Sequence, residues 1–63
     1  MQDKMLRRPI VENMTGLRRS TIYDLMSRGQ FPRPVKLTGR AVAWLESEVA
    51  AWLESRKAER PSL

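Results

Sequence analysis

Residues 15–29 read TGLRRSTIYDLMSRG, and this stretch decides how the chain folds. Thr15-Gly16 is a stop, because glycine enters the left-handed backbone region without a Cβ penalty. Beyond it Ile22, Leu25 and Met26 fall at the i, i+3, i+4 spacing of one helix face, with Leu17 at its entrance. Gly29 closes the run, and Arg28 in the last turn meets the negative end of the helix dipole. The spacing predicts a helix over 18–28. Arg19, Ser20, Tyr23, Asp24 and Ser27 lie away from the apolar stripe, and Thr21 stands at its boundary. A short helix with basic and hydroxyl groups on one flank, held by an apolar stripe on the other, divides its labour as a helix-turn-helix does. There the second helix enters the DNA major groove.

Upstream, Pro9 suits the first turn of a helix, and Ile10, Val11 and Met14 follow at helical spacing, so 9–14 reads as a first short helix. Residues 1–8 have no period and read as a flexible arm. Downstream, QFPRP (residues 30–34) cannot be helical, because each residue before a proline is pushed to extended geometry. VKLTGRAVAW (residues 35–44) then reads as a hairpin turning at Thr38-Gly39. Its first strand sets Val35 and Leu37 about an outward Lys36, while its second alternates Val42 and Trp44 with small Ala41 and Ala43. From Glu46 the helical period returns in Val49, Trp52 and Leu53 and runs to Glu59, after which residues 60–63 should fray. The fold class is mainly α with a small β-hairpin, a winged helix-turn-helix in the order helix, helix, hairpin, helix. One domain spans 9–59.

A chain of 63 residues without cysteine or histidine has no disulfide and none of the usual zinc sets. Its core must supply the stability, and below about 70–80 residues a core rarely supplies more than ~3–5 kcal/mol. Trp44, Trp52 and Phe31 are therefore read as core aromatics, not base-stacking platforms. No nucleophile with a base, no glycine-rich phosphate loop and no enclosed carboxylate cluster appears, so neither an enzyme, a cofactor nor a small-molecule substrate is expected. The opening residues resemble no signal peptide, and no apolar run is long enough to span a bilayer. A cytoplasmic protein associated with the nucleoid, and no membrane partner, is the expectation.

Charge is distributed unevenly. Lys and Arg number 12 against 7 Asp and Glu, for a net +5. The excess belongs to the first 45 residues, so a polyanion would be met there. On the helix, Arg19 has the fork that reads guanine, while Ser20, Thr21 and Tyr23 suit phosphates or base edges. Arg18 and Arg28 at its ends extend the basic set, and Asp24 is read as the i+4 salt-bridge partner of Arg28. At the hairpin tip, Lys36 and Arg40 are placed to reach a phosphate or the minor groove, with Gly39 admitting close backbone approach.

Residues 15–56 resemble the AlpA-type phage and prophage regulators, a branch related to winged-helix MerR-like and excisionase domains. The likeness covers Pro9 to Arg56. It is carried by TGL and RSTIY at the helix, FP-x-PVKL before the turn, GR-A-V-x-W at the hairpin and AWLESR on the last helix. The resemblance implies reading residues Arg19, Ser20, Thr21 and Tyr23 and wing residues Lys36, Thr38 and Arg40. Asp24 stands where that family often has a basic residue, and Arg18 where it often has a capping serine. Arg8 and Ile10 replace an apolar and an acidic residue. The function so implied is sequence-specific binding of double-stranded DNA as a transcriptional regulator, by a homodimer or by several copies on repeated sites. Two alternatives stay open: an excisionase-like factor that bends DNA, and a protein-interaction or anti-repressor module using the last helix.

Overall fold

The computed structural model describes residues 3–61. The order is β1 (Met5–Leu6), α1 (Arg8–Thr15), α2 (Arg19–Ser27), β2 (Val35–Lys36), β3 (Val42–Leu45) and α3 (Glu46–Ala58). The three strands form an antiparallel sheet in the order β1-β3-β2. With its three helices this is the winged helix-turn-helix that the periodicity predicts.

The turn between α1 and α2 is built by one threonine and one glycine. The Thr15 hydroxyl donates to the Val11 carbonyl at 2.8 Å and accepts the Leu17 N–H at 3.2 Å. Gly16 then takes φ 73°, with its N–H on the Glu12 carbonyl at 2.8 Å. At the far end of α2, Gly29 takes φ 70°. Its N–H reaches the Met26 carbonyl, and the Gln30 N–H reaches that of Leu25 at 2.8 Å. This paired closure satisfies carbonyls that a helix end otherwise orphans. A Cβ added at Gly29 meets no atom within 4 Å, so Gly29→Ala isolates the backbone cost of the left-handed residue. The expected loss is about 1–2 kcal/mol in thermal or urea unfolding, with Gly29→Asn losing less.

Every layer contributes to one core. Leu6, Val11, Ile22, Phe31, Trp44 and Val49 are buried together, and Leu17, Leu25, Met26, Val42, Trp52 and Leu53 pack against them. The prolines of residues 30–34 keep that segment out of the sheet, and two indoles meet its carbonyls instead. Trp44 Nε1 donates to the Pro32 carbonyl at 2.9 Å, and Trp52 Nε1 to that of Gln30 at 2.8 Å. Phe31 meets Trp52 edge to face with centroids 4.8 Å apart. Among the described residues no buried side-chain polar atom lacks a partner.

Four expectations are corrected. The arm expected to be flexible over 1–8 instead carries β1, with Met5 paired to Leu45 and Leu6 to Trp44. Behind the strand, the Lys4 carbonyl accepts the Glu46 N–H, and the Asp3 carboxylate accepts both the N–H and the hydroxyl of Ser47. Asp3 thus caps α3 from across the chain, and those hydrogen bonds from Ser47 hold its carboxyl below the usual range. Met1 and Gln2 lie outside the described residues. Second, α1 begins at Arg8, and Val11 alone of its apolar residues is buried, leaving Ile10 and Met14 exposed. Third, Val35 and Leu37 stay exposed, whereas Ala43 and Trp44 on opposite faces of β3 are both fully buried. The physical reason is that β3 is the central strand and is covered on both sides, which erases alternation by polarity. Fourth, Trp52 is only half-buried, a lid on Phe31 with the Arg56 guanidinium 5.6 Å from its ring centre. Of the tail expected to fray over 60–63, Ser62 and Leu63 lie outside the described residues.

Candidate nucleic-acid interface

Helix α2 buries Ile22 and half-buries Leu25 and Met26, which fixes the rotation of everything else upon it. Arg18, Arg19, Ser20, Thr21, Tyr23 and Arg28 are all exposed. Arg19 lies with its guanidinium 5.7 Å from the Tyr23 ring centre, an arrangement one turn long that holds both side chains without consuming the charge. Asp24 pairs with Arg28, Oδ2 to Nε at 3.3 Å, as its spacing predicts. That pair is exposed at both partners and contributes little to stability. Its consequence is electrostatic: the one carboxylate of the exposed flank is directed to the C-terminal end of the helix, toward Arg28.

Arg18 occupies the N-cap of α2 with extended backbone and makes no side-chain cap hydrogen bond. The helix start is thus basic where stability favours an oxygen acceptor. Arg18→Ser is expected to raise stability by about 0.5–2 kcal/mol in thermal unfolding. If Arg18 meets a phosphate, the same change lowers DNA affinity and flattens the dependence of log K on log salt by about 0.9.

The hairpin tip is held by Thr38. Its hydroxyl oxygen accepts the N–H of Ala41 at 3.2 Å and that of Arg40 at 3.4 Å, while the Ala41 carbonyl accepts the N–H of Leu37 at 2.7 Å. Thr38 is therefore committed first to the turn. Gly39 has an ordinary φ, and open space stands where its Cβ would be, so the fold itself does not demand a glycine there. Lys36 and Arg40 are exposed on either side of this tip.

Arg19, Tyr23 and Arg40 come together, and two residues that sequence reasoning assigned to the arm join them. A cleft of about 370 Å³ is lined by Arg7, Arg8, Pro9, Arg19, Tyr23, Arg40 and Val42. It brings the start of α1, the exposed flank of α2 and the wing to one place. Ser20, Thr21, Arg28, Lys36 and Thr38 do not line it. The one signal that could have found Arg7 and Arg8 is Pro9, since a proline in the first turn places its preceding neighbours at the mouth of that helix. Among the described residues the ion pairs are Arg8–Glu12, Asp24–Arg28, Arg56–Glu59 and Glu54–Lys57. Arg7, Arg18, Arg19, Lys36 and Arg40 are in none of them, and three of these, Arg7, Arg19 and Arg40, give the cleft uncompensated positive charge. Among the described residues no group of His, Cys, Asp and Glu is arranged to hold a metal ion, and no helix is long and apolar enough to cross a membrane.

Comparison with known sequences gives a consistent picture. A sequence model of the family described as "Prophage CP4-57 regulatory protein (AlpA)" matches residues 4–57. The "Uncharacterized protein ORF88" of Enterobacteria phage P4 is 52% identical over 59 residues, covering 94% of this chain and 67% of that protein. The "DNA-binding transcriptional activator AlpA" of Escherichia coli (strain K12) is 36% identical over 59 residues, covering 84% of each chain. The turn fixed by Thr15 and Gly16, the short helix behind it and the hairpin all lie within a match that spans nearly the whole sequence, and the chain belongs to the AlpA family of prophage regulatory proteins.

Proposed function

We propose that the protein is a sequence-specific DNA-binding transcriptional regulator of a phage or integrated element. Helix α2 enters the major groove, Arg19 takes a guanine through its fork, and Ser20, Thr21 and Tyr23 meet neighbouring base edges or phosphates. Lys36 and Arg40 of the wing contact the backbone or the adjacent minor groove, and Arg18 and Arg28 hold phosphates at the two ends of the helix. The observation that carries this reading is the flank of α2. Its polar side chains are exposed, its carboxylate is tied to Arg28, and the apolar side locks its rotation.

One module of this size buries roughly 600–1,000 Å² of protein surface on DNA, so a dimer or several copies on repeated sites provides the affinity of a regulator. The name of the Escherichia coli relative, a transcriptional activator that binds DNA, supports the regulatory half of the reading. The test is selection of bound fragments from sheared host genome at near-physiological salt, followed by sequencing. A recurring short motif upstream of a gene is the expected result. The same motif beside an integration site would assign the protein to excision instead. Even recovery across the genome, lost as salt rises, would leave only charge at work and overturn sequence-specific recognition.

A further inference from the structure

The cleft at the junction of α1, α2 and the wing has three properties together. Four arginines line it, Arg7, Arg8, Arg19 and Arg40, and no carboxylate does. Two of these guanidiniums are already engaged, Arg8 through Nε on Glu12 at 2.9 Å and Arg19 over the Tyr23 ring. Arg7 and Arg40 are not in any ion pair among the described residues. Like charges gathered in one concavity repel, and an anion seated between them relieves that repulsion while accepting charge-assisted hydrogen bonds.

The backbone of Arg7 is also fixed on both sides. Leu6 before it is buried and paired with Trp44, and the Arg7 carbonyl itself accepts the N–H groups of Ile10 at 3.0 Å and Val11 at 3.2 Å. A guanidinium carried on such a root loses less freedom on binding than one on a loose arm. We infer that this cleft is a seat for a single phosphodiester of duplex DNA, with Arg7 and Arg40 as its two arms, and that Arg7 is a positioning residue that sets the register of α2 in the groove. The seat lies between the two parts assigned to base reading and backbone clamping. A phosphate held there ties the depth of the helix to the reach of the wing. The inference rests on the DNA-binding reading and adds a contact from outside the helix-turn-helix and the wing.

The test uses the full chain and two probes. On a short duplex of arbitrary sequence, Arg7→Ala is expected to reduce the slope of log K against log salt by about 0.9, one phosphate contact, with Arg7→Lys restoring it. Arg60→Ala, beyond the end of α3 and outside this cleft, should leave the slope unchanged. In parallel, thermal unfolding is followed in sodium phosphate and in sodium chloride of equal ionic strength. Phosphate is expected to raise the melting temperature of the wild type and not of Arg7→Ala. The chloride melts also report whether the variant is folded, and Arg7→Gln serves if Arg7→Ala is not. Wild-type binding with an unchanged slope in Arg7→Ala overturns the phosphate seat and leaves the DNA reading intact. Arg7-dependent protection by phosphate in a protein that does not bind duplex assigns the cleft to a free anion, and overturns both the DNA occupant and the reading beneath it.

Discussion

Replacing Trp44 with alanine is expected to abolish the folded state at 25 °C. Trp44 is fully buried on β3, the central strand of the sheet, where it pairs with Leu6 of β1. Truncating a core tryptophan to alanine costs about 3–5 kcal/mol. A domain of this size commands roughly 3–5 kcal/mol in all. The substitution also strips the Pro32 carbonyl of its indole donor. Circular dichroism should show loss of the helical signal with no cooperative thermal transition. Trp44→Phe keeps most of the volume and loses the hydrogen bond, so it should fold with a lowered melting temperature. A Trp44→Ala protein that still melts cooperatively near the wild-type temperature would mean that the core does not centre on β3.

Arg19→Ala is expected to act on binding and leave folding intact. The side chain is exposed and its recorded contact is the Tyr23 ring, so the melting temperature should shift little. On the preferred DNA site the loss should be about 1–3 kcal/mol, roughly 5–150-fold in affinity, with preference relaxed at one base pair. Arg40→Ala is the contrast: it should weaken binding on all sequences by a similar factor and flatten the salt dependence. Binding arrays measured with both variants separate the roles. Unchanged base preference in Arg19→Ala would remove that residue from base readout.

What could be read in advance was what the chain encodes locally. The three helices follow from apolar spacing within a few turns, and the ends of α1 and α2 follow from Gly16 and Gly29, both of which take positive φ. The hairpin follows from Thr38-Gly39 between two short alternating runs. The salt bridge of Asp24 with Arg28 is a contact one turn long and needs no tertiary knowledge. What escaped is what depends on distant partners. A strand of two residues, Met5–Leu6, has no period to detect, and it exists because β3 offers it an edge. Asp3 reaches Ser47 through a closure that spans most of the chain. For the same reason Arg7 and Arg8 read from the sequence as part of a flexible arm. Their meeting with Arg40 is made by folding, not by spacing.

The two positive-φ glycines that bracket α2 have a consequence for how such a protein changes over time. Gly16 ends α1 ahead of α2 and Gly29 closes α2 behind it, both through backbone hydrogen bonds, and α2 is anchored through Ile22 with Leu25 and Met26. Arg19, Ser20, Thr21 and Tyr23 can therefore be exchanged as a set with little strain on the framework beneath them. A frame whose exposed flank is uncoupled from its buried face tolerates change on that flank without a cost to the fold.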